Sequence, residues 1–140
     1  IYRSFGSLDG RSWTSPEPIR LPNNNSSVFA LRLTNGLLAI AFNRVRAQSE
    51  EIPVWGQAIW PQTRWPLSIA ISDDDGNSWP WVRDIDPGYG FSGEKNWYLN
   101  GQIAYPSLVE GPPGKLHLAY SWGSQVAIRY VALDLEEITG

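Results

Sequence analysis

The sequence contains no cysteine, a single histidine and no long run of apolar residues. The absence of cysteine excludes disulfide bonds, thiolate nucleophiles and zinc sites with cysteine ligands. Because His117 is its one histidine, the chain has no histidine-rich metal site, and a Ser-His-Asp triad is not expected. A membrane helix needs roughly 20 consecutive apolar residues, so we predict no membrane span.

Positive charge is also scarce. The 11 Lys and Arg residues are outnumbered by 14 Asp and Glu residues, and no basic run occurs, which argues against a nucleic-acid partner. Glycine-rich phosphate loops and clusters of metal ligands are missing as well, so we predict no cofactor and no metal. Methionine is absent, although a start codon supplies one. We therefore expect a chain that begins after processing, after removal of a tag, or partway through a longer gene.

What the 140 residues do contain is a series of short apolar runs bounded by Gly, Pro, Asn and Asp. Runs of this length that are rich in β-branched and aromatic residues are typical of strands. Asn35-Gly36 joins two of them, and Asn-Gly between apolar runs is the strongest short-range signal of a hairpin. We predict an all-β protein with nine antiparallel strands, over residues 1–7, 13–20, 28–33, 37–42, 67–72, 79–85, 103–109, 116–122 and 125–133.

Two of the predicted turns share a sequence pattern. Residues 72–79 read Ser-x-Asp-x-Gly-x-Ser-Trp, and residues 7–13 are the same pattern one residue shorter, with the two glycines 66 residues apart. In such a turn the Asp accepts hydrogen bonds from backbone N–H groups, the Gly takes a positive φ, and the Trp packs against the sheet. A repeated β unit with one aromatic residue per repeat predicts propeller blades. The pattern residues are Ser72, Asp74, Gly76, Ser78 and Trp79 in one turn, and Asp9, Gly10 and Trp13 in the other.

These turns resemble the Asp-box, or BNR, repeats of the sialidase-like (neuraminidase) family, and the resemblance spans most of the chain. It implies a six-bladed propeller of four-stranded antiparallel blades, with the box between the third and fourth strands. If each box lies at that place in its blade, residues 1–20 end one blade, 27–85 form a complete blade and 102–134 supply three strands of a last blade. Residues 1–140 would then be the C-terminal half of a propeller, two to three blades. Its open edges would recruit the missing N-terminal half or a second copy.

Arg64 and Tyr105 extend the resemblance to the site. An Arg before the last Asp box, followed by a Tyr before a Ser-Leu pair, is similar to the end of a sialidase. By that resemblance Arg64 binds the substrate carboxylate, which an arginine fork grips with two hydrogen bonds, and Tyr105 is the nucleophile. A neutral phenol suits an oxocarbenium-like centre beside that carboxylate better than a second carboxylate does. The implied activity is hydrolysis of terminal acidic sugars of glycans, and the implied location is secreted or periplasmic rather than cytoplasmic.

Aromatic residues concentrate in the two longest segments between predicted strands, 45–63 and 86–101. In the blade arrangement both segments lie at the end opposite the Asp boxes, and long loops in compact domains are usually functional. Flat rings with polar edges suit sugar faces, so we predict that these aromatics line a glycan pocket. The alternative is that they pack the loops against each other. The rings concerned are Trp55, Trp60, Trp97 and Tyr98.

The sequence also leaves room for a non-catalytic propeller that binds carbohydrate or protein, because Asp boxes specify blades and not chemistry. Residues 25–30, where the family carries a Glu base, contain no acid, and Asn43 stands near the place of a second triad Arg. For Arg64 the alternative role is an ion pair with Asp84 or Asp86, and for Tyr105 it is a cap on a blade core. Three acids of the long segments could replace the missing base: Glu50, Glu51 and Glu94. The pair Glu136-Glu137 is expected to be a solvated tail.

Overall fold

The structure, a computed structural model, describes residues 1–46, 64–88, 102–123 and 125–140. Strands in these ranges pair antiparallel and form three sheets of two, four and three strands. The predicted all-β class, with antiparallel sheets of the propeller-blade type, is therefore confirmed. The bounds follow the predicted apolar runs, with a shift of one or two residues at most ends of the longer strands.

We call the three sheets the first, middle and last sheet. The first sheet pairs β1 (Tyr2–Arg3) with β2 (Glu17–Pro18). The middle sheet has the order β3 (Phe29–Arg32), β4 (Leu38–Asn43), β5 (Leu67–Ser72) and β6 (Trp81–Asp86). The last sheet has the order β7 (Ala104–Glu110), β8 (Lys115–Trp122) and β9 (Ala127–Asp134), and a single-turn helix, α1 (Glu136–Thr139), follows it.

The middle sheet is covered on both faces, which explains why β5 is apolar or small along its length instead of alternating. All six residues of β5 are buried. One face of the middle sheet, which includes Phe42, packs with Leu21 and Ile19 of the first-sheet segment. The opposite face, which includes Ile69, packs with residues of the last sheet such as Leu118. The three sheets are thus stacked side by side around two apolar layers.

The β3–β4 turn shows why Asn-Gly predicts a hairpin so well. Gly36 takes a φ of 90°, which favours glycine, and the Asn35 side-chain oxygen accepts a hydrogen bond from the Leu37 N–H at 3.1 Å. Glu110 at the end of β7 accepts hydrogen bonds from the N–H and hydroxyl of Thr34, at 2.7 and 3.0 Å. The bond from the Thr34 N–H is the main reason why the pKa of Glu110 is lowered. This turn therefore joins the middle sheet to the last one.

Glu136 and Glu137 are exposed, as expected of a solvated tail, but they form a helical turn instead of an extended tail. They begin α1, whose Ile138 is buried because the helix folds back against β5 and β6. Glu137 accepts a hydrogen bond from the Asp134 N–H at 2.8 Å and forms an ion pair with Arg83 at 3.6 Å. A helix of four residues is too short to produce a periodic pattern of apolar residues. The sequence therefore indicates the two acids but not the helix or the burial of Ile138.

The Asp box at the β5–β6 turn is closed by its own side chains. Asp74 accepts hydrogen bonds from the Ser78 N–H and the Ser72 hydroxyl at 2.8 Å each, and from the Ser78 hydroxyl at 2.7 Å. The Ser72 oxygen also accepts from the Gly76 N–H at 2.8 Å. Gly76 has a φ of 81°, which glycine adopts more readily than other residues. An added Cβ would also lie only 3.2 Å from the Trp79 ring, so a larger side chain would be crowded there.

The shorter box differs in how its tryptophan packs. Asp9 accepts hydrogen bonds from the Ser7 hydroxyl at 2.5 Å and the Arg11 N–H at 3.1 Å, and Gly10 has a φ of 69°. Trp13 is 68% exposed and lies against Gly6 instead of entering an apolar layer. The hydrogen-bonded turn is therefore common to both boxes, whereas only Trp79 packs against one of the two apolar clusters.

Replacing Asp74 by alanine is expected to lower the melting temperature by a few degrees and to weaken the acid sensitivity of the fold. Hydrogen bonds, chiefly from the Ser78 N–H, lower the pKa of Asp74 from 3.8 to about 2. Because the folded-state pKa is depressed, this stabilisation is complete above pH 3.8 and is lost as pH falls toward 2. Thermal unfolding of both proteins between pH 7 and pH 2 measures the difference, with Asp73→Ala as the neighbouring control. Parallel curves for Asp74→Ala and the original protein would contradict this role.

Candidate functional site

Arg64 and Tyr105 lie at the end of the sheets opposite the Asp box. Arg64 lies three residues before β5, which runs from Leu67 to Ser72 and then enters the box, and Tyr105 is the second residue of β7. Asn43, at the end of β4, pairs in register with Leu67. Its side-chain Nδ2 donates to the carbonyl oxygen of Arg64 at 2.6 Å and to that of Ile103 at 3.0 Å. The two segments that carry the candidate residues therefore meet at one amide group.

Arg64 is buried, with 8% of its surface exposed. Its backbone carbonyl accepts the bond from Asn43, but its guanidinium donates no hydrogen bond to a described residue and forms no ion pair with one. The guanidinium is therefore available to an anion such as a carboxylate.

The alternative role for Arg64, an ion pair with Asp84 or Asp86, is wrong. Arg44, which follows β4, forks onto Asp84 with bonds of 2.8 and 2.5 Å, and the Ser68 hydroxyl donates to the same carboxylate at 2.7 Å. The bond from Arg44 is the main cause that lowers the pKa of Asp84. Since β4 lies directly beside β5, Arg44 reaches this acid across one strand, and Asp84 is already neutralised.

Asp86 is occupied by residues of the last sheet. The Tyr120 hydroxyl and the Arg129 guanidinium both donate to its Oδ2 at 2.8 Å. Burial and the bond to Asp86 raise the pKa of Tyr120 to about 12. Arg129 also lies 4.8 Å above the Trp122 ring centroid, in a cation–π contact. No motif in the sequence indicated this network, because it joins strands of two different sheets.

Tyr105 has an unusual backbone and an accessible ring. Its φ is 53°, in the left-handed region that a tyrosine rarely adopts, and its surface is 57% exposed. The β7–β8 register shifts between Ala104 and Ser107, which places an extra residue on β7 at this point. The Ser121 hydroxyl holds the bulge by donating to the Ala104 carbonyl at 3.0 Å. Tyr105 is thus not a cap on the apolar core, and strained residues of this kind cluster at functional sites.

Tyr105 borders a shallow cavity of about 370 Å³ on the outer face of the last sheet, and Arg64 is not among its lining residues. Polar groups of this cavity include Ser107 and Gln125. Within the part of the chain that the structure describes, the Tyr105 hydroxyl has no hydrogen-bond partner.

The remaining predicted site residues belong to parts of the chain outside the described ranges. Four predicted pocket rings and three candidate acids lie outside the described residues: Trp55, Trp60, Trp97, Tyr98, Glu50, Glu51 and Glu94. Among the described residues no group of three His, Asp or Glu side chains could hold a metal ion. In the same ranges no helix is long and apolar enough to cross a membrane.

Asn43 is the site residue whose role the sequence did not reveal. Its position stood out as a polar residue at the end of the apolar run Leu38–Phe42. A buried polar residue at a strand end is a signal for a hydrogen-bonding role, but the run alone does not tell which carbonyl groups it reaches.

Comparison with known protein families gives one match. The family model of the BNR repeat-like domain matches residues 1–118, a stretch that includes both Asp boxes, Arg64 and Tyr105. No curated protein matches the chain significantly. The resemblance that the Asp boxes indicated is therefore confirmed by a comparison that covers most of the chain.

Proposed function

Because the chain belongs to the BNR repeat-like family, we propose that it is a sialidase-like glycoside hydrolase that acts on terminal acidic sugars of glycans. Family membership alone supports blades and not chemistry. The proposal rests mainly on Arg64. This residue has 8% of its surface exposed, and its guanidinium has no partner among the described residues. A sugar carboxylate supplies the missing anion in the fork geometry that arginine prefers.

Tyr105 is the proposed nucleophile. Its Oη would bond to the anomeric carbon as the glycosidic bond breaks, and water would then hydrolyse the glycosyl–tyrosine intermediate, an aryl glycoside. The phenol must lose its proton to a base, and the leaving oxygen must gain one from an acid. Glu50, Glu51 and Glu94 are the proposed sources of these groups. Trp55, Trp60, Trp97 and Tyr98 are proposed to wall the sugar pocket.

We also propose that the three sheets are consecutive blades of a six-bladed ring, with residues 27–85 as the complete blade. The first and last sheets have two and three strands among the described residues, so each leaves a strand edge that further strands can complete. Those strands would come from an N-terminal half or from a second copy of the chain. Light scattering should then show association of the 140-residue chain, and a clean monomer of 15.7 kDa would contradict self-assembly.

A non-catalytic, lectin-like role is the second candidate. One observation favours it: the Tyr105 hydroxyl has no partner among the described residues, so no acid there activates it. In that case Arg64 would still bind an acidic sugar, and the tyrosine ring would serve as a contact surface.

Two assays on the same protein separate these roles. Release of fluorophore from a fluorogenic N-acetylneuraminide or glucuronide measures hydrolysis, and an array of sialylated, uronic-acid and neutral glycans measures retention. Turnover of an acidic substrate supports the hydrolase, whereas retention of acidic glycans without turnover supports the lectin-like role. The proposal would be overturned if the protein neither hydrolysed an acidic substrate nor retained acidic glycans in preference to neutral ones.

A further inference from the structure

We infer that Asn43 is a positioning residue, which fixes the segments of Arg64 and Tyr105 relative to each other for binding of an acidic sugar. This inference rests on the proposed function, since it assigns a role at the same site. Its basis is the pair of bonds from Asn43 Nδ2, to the Arg64 carbonyl at 2.6 Å and to the Ile103 carbonyl at 3.0 Å.

The two carbonyl groups lie outside the regular strands, beyond the hydrogen-bonded ladders of the sheets. Arg64 precedes β5 by three residues, and Ile103 lies one residue before β7, so both are outside the strands. Arg64 belongs to the middle sheet's segment and Ile103 to that of the last sheet. A single side chain that uses both of its N–H groups therefore links two sheets at the end where the candidate site lies.

Asn43 is itself held firmly in place. It is fully buried, and the β4–β5 register pairs it with Leu67. The next residue, Arg44, donates its backbone N–H to the Pro66 carbonyl at 3.0 Å. Since Asn43 is buried and both it and Arg44 are paired with the segment that begins β5, the Asn43 amide is held in place where the chain enters β5 and β7.

The side-chain oxygen of Asn43 indicates that this residue is not there simply to fill space in the core. Asn43 Oδ1 is buried and accepts no hydrogen bond from a described residue. An unsatisfied buried acceptor is unfavourable, and an apolar side chain of similar size would avoid it. The amide therefore costs stability through Oδ1, and what it contributes in return is the link between two carbonyl groups.

The consequence for binding follows from the geometry of Arg64. A bidentate hydrogen bond to a carboxylate requires the guanidinium plane at the right place, and small displacements weaken such bonds strongly. Without Asn43 the carbonyl of Arg64 loses its anchor, while the charge of the guanidinium stays. The expected defect is thus a loss of affinity for acidic sugars that exceeds the general loss of stability.

The test compares Asn43→Ala with Ser72→Ala. Ser72 is a buried residue at the opposite end of β5, where its hydroxyl closes the Asp box. Both variants should melt below the original protein. We expect Asn43→Ala to weaken binding of N-acetylneuraminic acid, measured by calorimetry, at least tenfold, and Ser72→Ala to change it less than twofold. Should Asn43→Ala fail to fold, Asn43→Ser keeps one donor and is expected to show a smaller loss of affinity than that tenfold.

A second measurement does not depend on the sugar. In ¹H–¹⁵N spectra, Asn43→Ala should shift the amide signals of Arg64 and of residues 103–105 and leave those of the Asp box in place. If the original protein binds no acidic sugar, the proposed function fails and these spectra alone decide the role of Asn43. Wild-type affinity in Asn43→Ala, or unchanged signals at Arg64 and 103–105, would overturn the inference.

Discussion

Replacing Arg64 by alanine is expected to lower the affinity for acidic sugars at least 100-fold. Each charge-assisted hydrogen bond contributes about 1.5–3 kcal/mol, so the loss of a two-bond fork corresponds to about 3 kcal/mol or more. Arg64→Lys keeps the charge but not the fork, and we expect it to lose about tenfold. Titration of the three proteins with N-acetylneuraminic acid measures the series.

The stability of the same variants makes the prediction sharper. The Arg64 guanidinium forms no ion pair with a described residue, so its replacement breaks no such contact. Arg64→Met keeps an unbranched side chain and should therefore change the melting temperature little, while binding is lost. Arg44→Ala is the control, because it removes the partner of Asp84 at the same end of the sheet. It should lower stability without changing affinity. Equal affinity in Arg64→Ala and the original protein would contradict the role of Arg64.

The fold was accessible from the sequence because its strongest constraints are local. The Asn35-Gly36 turn and the 72–79 box each define a strand end through backbone conformation and short-range hydrogen bonds. The predicted strand 67–72 coincides with β5 for the same reason, since the box ends it. The first strand shows the limit of this logic. Residues 1–7 are predicted as a strand, yet the regular pairing covers only Tyr2–Arg3, with an isolated bridge between Gly6 and Trp13, because strand length depends on the partner that is present.

The site was less accessible because its contacts join distant parts of the chain. Which acid an arginine reaches depends on strand register, and the shift between Leu67 and Ser68 in the β5–β6 pairing cannot be read from the sequence. Arg64 was therefore a candidate partner of Asp84, and only the structure shows that Arg44 pairs with this acid instead. The left-handed φ of Tyr105 likewise arises from the bulge between β7 and β8 and has no local sequence signal.

Replacing Tyr105 by phenylalanine is expected to reduce hydrolysis of an acidic glycoside by about 10³-fold or more, because the covalent step loses its nucleophile. Binding of N-acetylneuraminic acid should change less than twofold, since the ring and the strained backbone at a φ of 53° both remain. Tyr130→Phe is the matched control, as Tyr130 is 62% exposed on the last sheet and bonds only to His117 among the described residues. The turnover number and the dissociation constant are measured for all three proteins. Wild-type turnover in Tyr105→Phe would exclude the phenol as nucleophile, and equal losses in both variants would point to damage of the last sheet instead.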